Sequence, residues 1–403
     1  MNILFDFITT QLCFGGGAGE YVRRVYYELQ DECKRSSDEI NIFAAIDTKI
    51  DKFPYPDLAP AQLSKTCTGI IDMHGKSLRD IVHEYRIDTV FVGLSQAWSE
   101  RYDFRGVDCK VITVTHDLNG EEVEDIRLFS YLSLFNPAIA QCRQIISRIV
   151  RYMRCLLGLQ KQPLARMFSV LKGNPQWVCI TVSDYSKHSL MRHYDIPPKH
   201  IRVLFSPERI MKCNDGEIED RCLKDVIDSG KKYYLIVSAN RPGKNAGKAL
   251  EAFRCYRQYL RESKACTDNL PVIVTVGMGR GNMFEGHIDI KTLSESDLEW
   301  AYRKCYALVY PSFFEGFGYP PVEAMKFGAP VLASNVTSMP EVLGDAPVYF
   351  SPFYVSDIFR AFCSLTDENY EELKERSVRR YAQLAKKQDC ALTALIGLIT
   401  GKD

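Results

Sequence analysis

Two glutamates, Glu315 and Glu323, are separated by seven residues in the run Tyr310-Pro311-Ser312-Phe313-Phe314-Glu315-Gly316-Phe317-Gly318-Tyr319-Pro320-Pro321-Val322-Glu323. An ionised carboxylate only accepts hydrogen bonds, and one group can take two vicinal hydroxyls at once. Gly316 and Gly318 let the backbone come close to a ligand and turn its N–H groups outward. A loop of this make-up can hydrogen-bond a polyol from several sides. A lone glutamate here would do no more than cap its helix, but two of them around G-F-G-x-P point to a ligand. A cationic pair, Arg241 and Lys244, lies in Ser238-Ala239-Asn240-Arg241-Pro242-Gly243-Lys244-Asn245. Such charges stabilise a leaving group that gathers negative charge, a diphosphate for example, more in the transition state than in the ground state. His116, followed by Asp117 in Val114-Thr115-His116-Asp117-Leu118, and the triplet Gly15, Gly16 and Gly17 complete the set.

These groups share a position relative to the elements around them. Apolar runs that read as buried strands fall at 2–8, 40–46, 88–93, 110–115, 178–182 and 201–204, with helical stretches such as 20–35 between them. The pattern restarts at 232–238, 271–277, 306–310, 330–334 and 348–350. Continuous apolar strands with helical crossovers imply parallel sheets covered on both faces. The polar stretch 207–231 reads as an exposed connector, so two doubly wound α/β domains are expected. In such sheets ligands bind beyond the carboxyl ends of the strands. Glu315, Lys244 and His116 each follow a strand. Pro320 and Pro321 open a helix where proline costs least, which puts Glu323 in the first helical turn. The glycine triplet reads as a link from the first strand straight into the first helix, an anion-approach geometry. Gly277-Met278-Gly279-Arg280-Gly281 follows a strand and could face a nucleotide base.

The stretch PSFFEGFGYPPVEAMKFGAPVLASNVTSMPEVLGDAPVYF resembles the signature of retaining, nucleotide-sugar-dependent glycosyltransferases of family 4. That resemblance implies the GT-B fold, two Rossmann-like domains facing each other: an acceptor domain over 1–206, a donor domain over 207–385, and a C-terminal helix over 386–403 that crosses back. It implies that Glu323 holds the ribose hydroxyls. Glu315, with the amides of Gly316, Phe317 and Gly318 and the neighbouring Tyr319, handles the donor sugar. Lys244 and Arg241 match the family's cationic pair, although here the spacing is R-P-G-K, whereas the family often has the Arg further upstream or directly beside the Lys. His116 matches the family's active-site histidine, with Asp117 as its neighbour, and the loop at Gly15, Gly16 and Gly17 lies against the donor and helps to receive the acceptor. Tyr185-Ser186-Lys187 resembles a further landmark of structural type. The implied partners are a nucleoside-diphosphate sugar and a saccharide or lipid-linked saccharide, with neither cofactor nor metal required. EGFGYPPVEAM resembles the mannosyl-type members most closely.

Composition narrows the alternatives. The 51 basic and 51 acidic side chains cancel, which excludes the basic field that drives general nucleic-acid binding. No apolar run reaches the length of a membrane span, and Met1-Asn2-Ile3-Leu4-Phe5-Asp6 reads as a strand and not as a signal peptide. The 14 cysteines are scattered without a C-x-x-C pair, so reduced, mostly buried thiols in a cytoplasmic protein are expected. From Ile126 to Ser183 no acidic residue occurs. Segment 143–172 therefore reads either as a basic amphipathic helix lying at the inner face of a membrane, or as an ordinary helix packed on the N-terminal sheet. Two rival functions stay open, a glycoside hydrolase using Glu315 and Glu323 and a non-catalytic nucleotide-sugar binding subunit; an epimerase or phosphorylase of the same fold would require different active-site residues.

Overall fold

A computed structural model describes residues 1–13, 16–50, 52–122, 163–210, 216–263 and 269–402. Its described residues divide into two compact units, the first drawn from Met1–Leu118, Ser147–Ile210 and Lys386–Asp403, the second from Asn119–Ile146 and Met211–Ala385.

The first unit is built on β1 (Asn2–Asp6), β2 (Asn41–Ile46), β3 (Gly69–Asp72), β4 (Thr89–Val92), β5 (Lys110–Thr115), β6 (Trp177–Thr181) and β7 (Ile201–Val203). They pair in the order β3-β2-β1-β4-β5-β6-β7, every neighbour parallel. In the second unit β8 (Tyr233–Ile236), β9 (Val272–Val276), β10 (His287–Ile290), β11 (Ala307–Tyr310), β12 (Val331–Ser334) and β13 (Val348–Phe350) pair in parallel as β10-β9-β8-β11-β12-β13. The chain order reverses between β1 and β4 in one sheet and between β8 and β11 in the other. Adjacent loops leave such a point in opposite directions and open a crevice at the carboxyl edge. Helices cover both faces, so the central strands are buried along their whole length, as β4, β8, β9, β11 and β12 are. Around Tyr234 the second core packs Phe253 and Phe362 at 5.5 and 5.0 Å in edge-to-face contacts, each worth about 0.5–1.5 kcal/mol beyond its burial.

Several sequence expectations change. The first strand ends at Asp6 and a helix, Ile8–Leu12, intervenes before the glycines. The buried Asp6 carboxylate causes the break: it accepts from the N–H of Thr9 (3.0 Å) and from the N–H of Gly93 beyond β4 (2.8 Å). The strands β3 and β10, each at one edge of its sheet, have no counterpart in the apolar runs, because their sequences (Gly-Ile-Ile-Asp, His-Ile-Asp-Ile) mix polar with apolar residues. The 207–231 connector contains the helix Arg221–Asp228, which buries Leu223 and Val226. Of the ten described cysteines only Cys179 and Cys305 are buried, contrary to the expectation of mostly buried thiols. The helix Pro163–Leu171 turns Leu164, Met167, Phe168 and Leu171 into the core of the first unit, so the end of segment 143–172 packs on the N-terminal sheet; residues 143–162 lie outside the described residues. From Lys386 onward the C-terminal helix Tyr370–Thr400 belongs to the first unit, where Gln388 donates to the carbonyl of Ser206 (2.7 Å) and Lys110 donates to that of Leu398 (2.6 Å). No helix among the described residues is long and apolar enough to cross a membrane.

Candidate functional site

Lys244 and Glu315 meet at the carboxyl edge of the second sheet, on the loops that follow β8 and β11, where the chain order reverses. After β8 a short 3-10 turn, Pro242–Lys244, ends at Asn245, a buried residue in the left-handed region (φ 55°). The Asn245 amide donates to the carbonyls of Pro311 (3.1 Å) and Pro352 (2.9 Å), which ties the lysine loop to the chain leaving β11 and β13. The N–H of Phe313 donates to the carbonyl of Gly243 (2.9 Å) and adds a second tie. Lys244 Nζ is thereby delivered to Glu315 Oε1 and to the phenol oxygen of Tyr310, each at 2.5 Å. The Ser312 hydroxyl donates to the same carboxylate oxygen. Only 13% of the lysine side chain and 14% of the glutamate side chain are exposed. Burial, with the Glu315 carboxylate beside it, holds the Tyr310 phenol well above its ordinary pKa, so it stays neutral. The backbone of Glu315 is fixed from both sides: its N–H donates to Thr337 Oγ1 (3.2 Å) and its carbonyl accepts from Ser338 Oγ (2.8 Å).

The glycine loop continues into the helix Tyr319–Lys326, capped by Gly318 at φ 87°. That positive φ favours glycine, whereas a Cβ there would meet only the flexible end of the Met339 side chain. Among the described residues no acceptor takes the N–H of Gly316 or Gly318, although both residues are buried. Buried amides normally have partners, which sets this pair apart. Phe317 and Tyr319 pack edge to face at 5.5 Å. Because the helix starts at Tyr319, Glu323 sits in its second turn and not in the first, and the two prolines fill the first. Glu323 is 7% exposed, and its Oε2 accepts from the Tyr302 phenol at 2.9 Å. Arg241 is exposed and its guanidinium has no partner among the described residues. In the neighbouring loop Asp289 accepts from the N–H groups of Arg280 (2.7 Å) and Gly281 (2.9 Å) and shapes the 277–281 turn.

The remaining expected groups belong to the first unit. His116 follows β5, and its Nε2 lies 3.0 Å from the carbonyl of Gly93. A carbonyl can only accept, so Nε2 carries the proton and Nδ1 is an acceptor. The ring packs edge-on against Tyr21 at 4.9 Å. Although the residue keeps partial exposure, its ring is enclosed, and burial pushes its pKa down to about 4 against the pull of the Gly93 carbonyl. The imidazole is therefore neutral at pH 7. Ser186 donates to the His116 carbonyl (3.0 Å), which gives the Tyr185-Ser186-Lys187 landmark its structural part. The Asp117 carbonyl accepts from Gln96 (2.7 Å). Gly16 caps the helix Gly17–Arg35 and Gly17 is its first residue; Gly15 lies outside the described residues. The glycine loop thus follows a helix and not a strand.

Sequence reasoning missed Tyr310, Ser312, Tyr302 and Asn245. Tyr310 and Ser312 flank Pro311 within the glutamate segment, and a phenol and a hydroxyl so near a carboxylate were the available signal. Tyr302 belongs to the helix Glu295–Lys304, and nothing local links it to Glu323.

Residues 285–380 match the family described as glycosyl transferases group 1. The chain is 33% identical over 215 residues to the serotype-specific mannosyltransferase WbdA of Escherichia coli, a match covering 51% of this chain and 26% of that protein. It is 31% identical over 210 residues to the O-antigen chain mannosyltransferase B of Escherichia coli, covering 48% of this chain and 53% of that one. The matches thus span about a quarter of one relative and about half of the other. The Anabaena protein Alr3699/HepE, solved in complex with UDP, superposes with a TM-score of 0.62 at 12% identity, covering 100% of both chains. The two parallel α/β units are those of the GT-B fold.

Proposed function

From the glycosyl transferases group 1 segment at 285–380, we propose that this chain is a retaining hexosyltransferase. It moves mannose from a nucleoside-diphosphate sugar to a hydroxyl of a saccharide or lipid-linked saccharide during polysaccharide assembly. The observation that carries this reading is the convergence of Lys244, Glu315 and the unpaired amides of Gly316 and Gly318 at the chain reversal between β8 and β11. The mannosyl names of the relatives and the UDP in the Anabaena structure support it.

In this reading Glu323, oriented by Tyr302, accepts from the ribose hydroxyls, while Glu315 and the loop amides bind the hexose. The bond from the anomeric carbon to the diphosphate oxygen breaks, and its electron pair stays on the diphosphate. Lys244, and Arg241 from the same loop, stabilise that developing charge, a task that needs no metal. The acceptor oxygen forms the new bond on the same face and gives its proton to the departing diphosphate oxygen. Catalysis then rests on positioning and charge stabilisation.

A thermal-shift panel of nucleoside diphosphates and their hexose conjugates tests the proposal. A ligand at 100 times its dissociation constant adds about 2.7 kcal/mol of stability. GDP-mannose should raise the melting temperature and serve as donor to a saccharide acceptor; no shift with any nucleotide would refute it.

A further inference from the structure

Lys244 and Glu315 have separate tasks on the donor, yet in the ligand-free chain they are bonded to each other. The contact is direct and nearly enclosed: 2.5 Å from Nζ to Oε1, with 13% and 14% of the two side chains exposed. Each partner also has its own holder, the Tyr310 phenol for Lys244 and the Ser312 hydroxyl for Glu315. A carboxylate at that distance cancels much of the field that the ammonium would offer a phosphate, and in a poorly solvated pocket the cancellation is strong.

We propose that the Lys244–Glu315 pair makes the site select a sugar-bearing nucleoside diphosphate over the bare diphosphate that remains after transfer. The inference rests on the hexosyltransferase reading above. A bare diphosphate competes with Glu315 for Lys244 and offers the displaced carboxylate nothing in return. The intact donor brings sugar hydroxyls, which take over the hydrogen bonds that Glu315 gives up. An ion parted from its partner in a buried site carries a large penalty unless new partners replace the old ones. After transfer the sugar is gone, Glu315 swings back to Lys244, and the diphosphate is expelled. Tyr310 and Ser312 keep the two groups in place while the donor holds them apart, which makes both positioning residues.

The experiment compares two ligands on the full chain by titration calorimetry: GDP and GDP-mannose, with UDP and UDP-glucose as a second pair. Glu315→Gln removes the competing charge and keeps an amide for the sugar. It is expected to bind the bare diphosphate about ten-fold more tightly than the wild type, the scale of one charge-assisted hydrogen bond, and to bind the conjugate more weakly. In the Lys244→Met background the same change should leave diphosphate affinity unaltered, because no ammonium remains to be released. If Glu315→Gln fails to fold, Glu315→Asp, whose shorter reach weakens the pair, should tighten the diphosphate to a smaller extent. A wild type that binds these nucleotides, together with a Glu315 variant whose diphosphate affinity is unchanged or lower, overturns the selection proposal and leaves the transferase reading standing. A wild type that binds neither nucleotide of either pair overturns both.

Discussion

Replacing Lys244 with methionine keeps most of the side chain's length, one atom short, and removes its charge. Two consequences follow from the contacts at Nζ, and they separate. The first concerns the chemical step. A fixed charge aimed at developing negative charge contributes about 2.7–4 kcal/mol when removed, on the pattern of a lost oxyanion donor. Turnover should therefore fall by roughly 100- to 1,000-fold. On the proposed reading donor KM should change less, because the ribose and sugar contacts assigned to Glu323 and Glu315 persist. The second concerns stability. Glu315 loses its ammonium but keeps Ser312, and the pair is enclosed without being sealed. The cost should stay below the roughly 3–5 kcal/mol of a fully buried pair that is broken on one side. Initial rates of nucleoside diphosphate release at 20 °C, well below any lowered melting temperature, with circular dichroism on the same sample, separate the two effects. A Lys244→Met protein that folds and transfers within three-fold of the wild type would show that the ammonium does not face the leaving group, and the charge-stabilisation argument would fall.

Tyr302→Phe removes the hydrogen bond to Glu323 Oε2 (2.9 Å). A bond to a charged group is worth about 1.5–3 kcal/mol, so donor KM should rise by about ten-fold or more with turnover nearly unchanged, as steady-state kinetics would show. An unaltered KM would mean that Glu323 needs no orienting. His116 makes stability depend on pH. Burial depresses its folded pKa to about 4 from the ordinary 6.5, so the neutral form favours the native state. That contribution is complete above pH 6.5 and is lost as pH falls from 6.5 toward 4, where the unfolded chain binds the extra proton. At about 1.4 kcal/mol per pKa unit the loss reaches up to about 3 kcal/mol. Denaturant melts at pH 7 and pH 4.5 should show a smaller acid destabilisation for His116→Gln than for the wild type; equal losses would place the titration elsewhere.

The central strands were legible because burial on both faces makes them mostly apolar; β5 matches its sequence reading to the residue, and so does the edge strand β13, whose Val348, Tyr349 and Phe350 form an apolar run of their own. The edge strands β3 and β10 were not, since Asp72, His287 and Asp289 break up their apolar runs. The same distinction runs through the site. Glu315, Gly316, Gly318 and Glu323 share one short segment, so their types and spacing announce a ligand before any fold is known. Their supports come from far along the chain. Tyr302 reaches Glu323 from another helix, Asn245 binds carbonyls at Pro311 and Pro352, and Thr337 and Ser338 clamp Glu315 from the loop after β12. Local pattern therefore names the groups that meet a ligand, while long-range pairing decides what they do without one. Lys244 and Glu315 read separately as a cation for a diphosphate and an acceptor for a sugar. Only the adjacency of β8 and β11 brings them to 2.5 Å, where each becomes the other's partner. On the proposed reading, a donor that spans both must supply enough new contacts to part them, and the affinity of the site for a nucleotide should then depend on whether that nucleotide carries its sugar.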